Sequence, residues 1–133
     1  MCAALQQLRA AGVQLLASSD AGAIPGLPHD ALRGGIEVLA EMARMTPVDA
    51  LKAATSTSAD VLGLETECGR LLPHLSADFL VVAGNPTEDL SALGRLALVV
   101  AAGSRVEPQA PPPPWPKIAR QSRPRARPSR RIA

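Results

Sequence analysis

The sequence predicts an α/β chain, and three observations predict it. Apolar residues recur at helical spacing through most of residues 3–63. From residue 69 the pattern changes to short apolar runs separated by turn residues. After residue 107 the composition changes again, to a Pro/Arg-rich tail. Aliphatic residues must build the core, because the 133 residues are 47% hydrophobic yet contain one Phe, one Trp and no Tyr. This length supports one ordinary domain at most.

The first helix is read over Ala3 to Ala11, with Leu5 and Leu8 on one face and Gly12 as its stop. Val13 to Ser18 reads as a buried strand. Asp20 to Pro28 reads as a loop, punctuated by Gly22, Pro25, Gly26 and Pro28. A second helix is expected over Asp30 to Arg44, with Ile36, Leu39, Ala40 and Ala43 on its apolar face; Gly34 and Gly35 weaken its first turns. Thr46-Pro47-Val48-Asp49 is a helix start: Thr46 can cap, Pro47 fits the first helical position, and Asp49 suits the positive end of the helix dipole. That helix runs to about Ala54. Thr55 to Ser58 is a run of potential caps before a short helix that stops at Gly63.

Gly69 to Leu72 reads as a short strand, and Ala77 to Ala83 as a second with a compact apolar core. Gly84-Asn85-Pro86 is a turn. Leu96 to Ala101 is another apolar strand, and Gly103-Ser104 turns the chain before Arg105-Val106-Glu107. Together these predict a small, mainly antiparallel sheet. Eight of the last 26 residues are Pro, and Pro111 to Pro114 favours an extended polyproline helix. The rest of the tail has almost no apolar content to offset the entropy of ordering, so disorder is expected.

Charge follows the same division. Residues 1–107 hold seven Lys/Arg and twelve Asp/Glu, a net −5, whereas residues 108–133 hold seven Lys/Arg and no acid, a net +7. The tail lacks the aromatic interleaving of single-strand binders, Trp115 standing alone, so nucleic acid is not the expected partner. No apolar run approaches the roughly 18 residues that span a bilayer, and no secretory signal opens the chain. Cys2 and Cys68 are far apart and in no metal-ligand spacing, as expected of reduced thiols in a cytoplasmic protein.

Among chemistry-bearing residues, Asp20 stands out, because it closes an apolar strand and is followed by a small residue and a glycine. A carboxylate there can bind a metal or accept a proton from metal-bound water; the structural alternative is an Asx-type turn. His29 is either a histidine near a helix start or a substrate-facing residue, and His74 reads as a surface turn residue. Ser18, Ser19 and the Thr55–Ser58 run have no histidine in a triad context. The glycines around residues 22–26 lack the GK[ST] element of a phosphate loop.

Four ordered segments carry a family resemblance. Ala11 to Gly22 resembles the last barrel strand of metal-dependent amidohydrolases, most closely the imidazolonepropionase-like and Xaa-Pro-dipeptidase-like enzymes. Met45 to Leu64 resembles the final helices of that family. Gly69 to Pro73 with Ala77 to Pro86 resembles the strands returning to its small β-domain, and Leu96 to Val106 resembles its closing hairpin. The resemblance implies the C-terminal part of a TIM-type (β/α)8 barrel over residues 1–66, strands of a small β-sandwich domain over 67–107, and a disordered basic tail over 108–133.

The activity it implies is hydrolysis of C–N bonds in a small amide or dipeptide substrate by a metal-activated hydroxide. Asp20 would then be both a ligand of a divalent metal, zinc by resemblance, and the proton shuttle. The family's His-x-His pair, mid-barrel Lys or acid, and two later histidines have no counterpart here. His74 stands where the family has a turn glycine, and Gly34-Gly35 where it has polar, helix-forming residues. The chain therefore reads as a C-terminal fragment, inactive alone, whose partner is a chain carrying the missing barrel strands. The competing reading is a non-catalytic interaction module that pairs with another chain or contacts nucleic acid through its tail.

Overall fold

The structure, a computed structural model, describes residues 2–21 and 31–107. The expectations for the 22–28 loop, His29, the start of the second helix at Asp30 and the Pro/Arg tail lie outside the described residues. Four α-helices come first: α1 (Cys2–Ala10), α2 (Leu32–Ala43), α3 (Pro47–Ala54) and α4 (Ser56–Leu62). Strand β1 (Phe79–Val82), a 3-10 turn (Leu90–Gly94), and strands β2 (Leu96–Ala101) and β3 (Ser104–Val106) follow.

The helix ends lie close to where the sequence puts them. Gly12, at φ 82°, ends α1 by letting the Gly12 and Val13 N–H groups turn back onto the carbonyls of Arg9 and Leu8. The Thr46 hydroxyl accepts the Asp49 N–H at 3.1 Å, with Pro47 opening α3. Helix α4 stops at Gly63, at φ 71°. One detail differs: Thr55 does not cap α4 through its side chain. Its hydroxyl donates to the Leu51 carbonyl at 2.7 Å, and Ser58 donates to the Ala53 carbonyl at 2.6 Å. These hydroxyls satisfy the open carbonyl end of α3 instead.

Two expected strands are not strands. Val13 to Ser18 belongs to no helix or strand and pairs with no strand among the described residues, since a ladder requires a neighbour. Gly69 to Leu72 forms bends and coil. Gly69, at φ 88°, brings the backbone so close to α4 that a Cβ there would lie 2.5 Å from the Ala59 side chain, and the Arg70 guanidinium grips the Asp60 carboxylate at 2.7 Å. The expected antiparallel sheet does form, in the order β1-β2-β3. Phe79 pairs with Val100, and Val99 with Val106, with a bulge between Val81 and Val82.

Helix α2, helix α3 and the 3-10 turn meet around Ile36, Ala50 and Leu90. Ala17, from the segment between α1 and α2, packs into this cluster with Ala40, Met45, Leu51, Ala54 and Leu93. Helix α1 buries no residue, and its Leu8 stays exposed. Polar contacts hold it instead: the Gln6 amide donates to the Met42 carbonyl, and Arg9 donates to the Arg44 carbonyl and pairs with Asp49 at 2.7 Å.

Candidate functional site

Asp20 is positioned by the segment before it. Ala17 fixes that segment twice, through its methyl group in the core cluster and through its N–H on the Ala53 carbonyl of α3 at 3.1 Å. One residue on, the Ser18 carbonyl lies over α2 at Gly35, 3.4 Å from where a Cβ would be. Beyond this clamp the chain turns. The Ser19 hydroxyl accepts the Ala21 N–H at 3.2 Å, and Asp20 takes the left-handed conformation at φ 53°. Aspartate is among the few non-glycine residues that enter this region readily. The carboxylate is thus presented, exposed, at the end of an anchored segment.

The other candidates are not gathered around it into a metal site. His74 is exposed in a turn at φ 71°. That left-handed geometry is the one a turn glycine would adopt. Thr55 and Ser58 are bonded to helix carbonyls. Cys2 is exposed, Cys68 is half-buried, and both are free thiols. His29 lies outside the described residues. Among the described residues, no group of three His, Cys, Asp or Glu side chains stands close enough to hold a metal ion. A zinc site takes about three protein ligands, so Asp20 alone does not make one.

Two positioning residues escape a reading for chemistry. Ala17 carries no functional group, yet it anchors the segment. Gly35 allows the close approach of α2 to Ser18. Its only signal in the sequence is the Gly34-Gly35 pair in a helix's first turns, kept despite a propensity cost of about 1 kcal/mol per glycine. No helix among the described residues is long and apolar enough to cross a membrane.

Comparison with known proteins gives a consistent picture. The model of the amidohydrolase family matches residues 1–106. Imidazolonepropionase of Ralstonia nicotianae is 41% identical over 76 residues, covering 56% of this chain and 18% of that protein. The crystal structure of a protein from Bifidobacterium longum, provisionally assigned as a prolidase, superposes with a TM-score of 0.76 and 36% identity, over 84% of this chain and 27% of that one. A Xaa-Pro dipeptidase with methionine bound in its active site superposes with a TM-score of 0.69 and 26% identity, over 80% of this chain and 25% of that one. The chain therefore spans about a quarter of the length of these solved relatives and less than a fifth of the imidazolonepropionase.

Proposed function

Because the chain belongs to the amidohydrolase family, in the subgroup of imidazolonepropionase and the Xaa-Pro dipeptidases, we propose that residues 1–107 are the C-terminal portion of a metal-dependent hydrolase of C–N bonds. In this reading Val13 to Ser18 is the last strand of a TIM-type barrel, and the β1-β2-β3 sheet is part of a small β-sandwich domain. Barrel enzymes gather their catalytic groups at the C-terminal ends of the strands. The observation that carries the proposal is the placement of Asp20, held exposed at the end of a segment anchored through Ala17.

Asp20 supplies a carboxylate that can accept a proton from the attacking water and return it to the departing amine. It is also the one metal donor that the described residues bring to the site, and the other donors come from polypeptide outside them. The substrate class is a small amide or dipeptide, and His29, nine positions after Asp20, is the candidate for substrate contact. The free thiols of Cys2 and Cys68 favour a reducing, cytoplasmic setting.

The test is to assay the whole purified chain with and without added zinc, on imidazolonepropionate and on a Xaa-Pro dipeptide, while measuring bound metal. We expect no turnover above background and substoichiometric zinc. Stoichiometric zinc that is lost in Asp20→Asn, together with turnover, would show that the chain completes its own site and would overturn the partial-site reading.

A further inference from the structure

We infer that Ser19 is a positioning residue of the candidate site: its hydroxyl holds Asp20 in the left-handed conformation and so sets the direction in which the carboxylate leaves the backbone. The inference rests on the reading of Asp20 given above and adds the residue that aims it. Ser19 has no triad partner in the sequence, and the structure gives its oxygen a different task.

The turn is built around one bond. Ser18 is fixed from behind, by the approach of its carbonyl to Gly35 and by the Ala17 N–H on the Ala53 carbonyl one residue earlier. Among the described residues, no backbone–backbone hydrogen bond involves residues 18 to 21. The contact from the Ala21 N–H to the Ser19 hydroxyl, at 3.2 Å, is the one hydrogen bond among them that spans Asp20. A serine oxygen bonded to the amide two residues on closes a turn about the residue between them. Ser19 and Ala21 are half-buried, so the bond is partly sheltered from the water that competes for both groups, whereas Asp20 between them is exposed.

The magnitudes make this bond decisive. The left-handed region costs an L-residue about as much as one intramolecular hydrogen bond returns, and aspartate bears less of that cost than most residues. Asp20 therefore stands near balance between left-handed and ordinary backbone, and the hydroxyl tips it. The consequence for the carboxylate is large. Relaxing φ from 53° to an ordinary value of about −60° turns the residue by roughly 110° about its N–Cα bond. A working site holds its groups to within about 10–20° of their productive direction. Residues held at unfavourable φ by their surroundings gather at functional sites, and here the surrounding group is identified.

The experiment is NMR on the whole isotope-labelled chain, compared with Ser19→Ala and Ser19→Thr. At positive φ the amide and α protons of one residue stand close together, so the strength of that contact at Asp20 reports its conformation. We expect a strong contact in the parent. Ser19→Ala should lower the ratio of left-handed to ordinary Asp20 about fivefold, the worth of one hydrogen bond. Ser19→Thr keeps the hydroxyl and should restore the contact. A merely structural role for Ser19 would move the urea midpoint and leave this contact alone. A second measurement needs no variant: the Ala21 amide of the parent should exchange about fivefold more slowly than an unstructured amide.

A strong contact at Asp20 in Ser19→Ala overturns the inference, because aspartate then keeps its geometry unaided. So does a weak contact in the parent, or an Ala21 amide that exchanges at the unstructured rate. Loss of the contact in both variants assigns the effect to side-chain packing and overturns the role of the hydroxyl. If Ser19→Ala unfolds the chain, the Ala21 exchange rate decides. These results read conformation alone. Asp20 as metal ligand and proton acceptor stands or falls separately, in the zinc and turnover assay above.

Discussion

Asp20, Arg44, His74 and Ala102 all sit at positive φ without being glycine, and the chemistry differs at each. Asp20 is suited to that region, and among the described residues its carboxylate accepts no hydrogen bond. Ala102 is not suited to it. With Gly103 it forms a two-residue connection between the paired residues Ala101 and Ser104, both central residues at positive φ, a geometry that favours Asn-Gly. Ala102→Asn should therefore raise stability by roughly 0.5–1 kcal/mol, part of the left-handed cost that alanine bears; a melt that drops instead would contradict this. The same turn carries a pH dependence. Hydrogen bonding from Ser76, and then from the Ala102 N–H at 2.6 Å, holds the Asp78 carboxyl below its ordinary value. A carboxyl with a depressed folded pKa contributes stability above its unfolded pKa of about 3.9 and loses it as pH falls through the folded value. The Ala102 amide resonance, followed from pH 7 to pH 2, should therefore move only below about pH 4, and Asp78→Asn should abolish the movement.

Each element held or failed according to where its determinants lie. Helices α3 and α4 were legible because their signals are local: a cap, a proline at the first turn and a glycine at the end. Strands β1, β2 and β3 were legible because each finds its partner within 25 residues. Val13 to Ser18 has the apolar composition of a strand, but strandedness belongs to a pair, and no other strand lies beside it among the described residues. Asp20 was legible as the end of that segment, whereas Ala17 and Gly35 matter only through contacts distant in sequence. Gly69 to Leu72 misled because a glycine opening an apolar pair looks like a strand start, when its role is the tight passage beside α4. Gly69→Ala tests that account. It places a methyl group 2.5 Å from Ala59 and imposes a left-handed alanine. Overpacking costs about 1–3 kcal/mol and the backbone about 1–2 kcal/mol, so the urea midpoint should fall sharply. A midpoint within error of the parent would mean that α4 moves aside freely.

At the scale of the whole molecule, the described residues bury little that is large. Seven apolar residues are buried, five of them alanines, and no large side chain is fully buried. Leu62, Leu71, Leu72, Leu80 and Val81 remain exposed. Hydrophobic stabilisation scales with apolar area removed from water, about 25 cal/mol per Å², and alanine contributes least of the aliphatic side chains that could fill a core. Helix α1 adds mainly exposed polar contacts, of which the Arg9–Asp49 pair is worth at most about 1 kcal/mol and is screened by salt. The isolated chain should therefore unfold over a broad range of urea, with a slope below about 1 kcal/mol/M, since that slope tracks the surface exposed on unfolding. It should also bind a dye specific for exposed apolar surface before it unfolds. Joined to polypeptide that covers Val13–Ser18 and the open sheet, the same residues should lose the dye signal and gain slope together, because both report the same apolar area. A steep two-state transition in the free chain, with no dye bound, would mean that these faces are satisfied without further polypeptide, and the reading of residues 1–107 as one portion of a larger fold would fall with it.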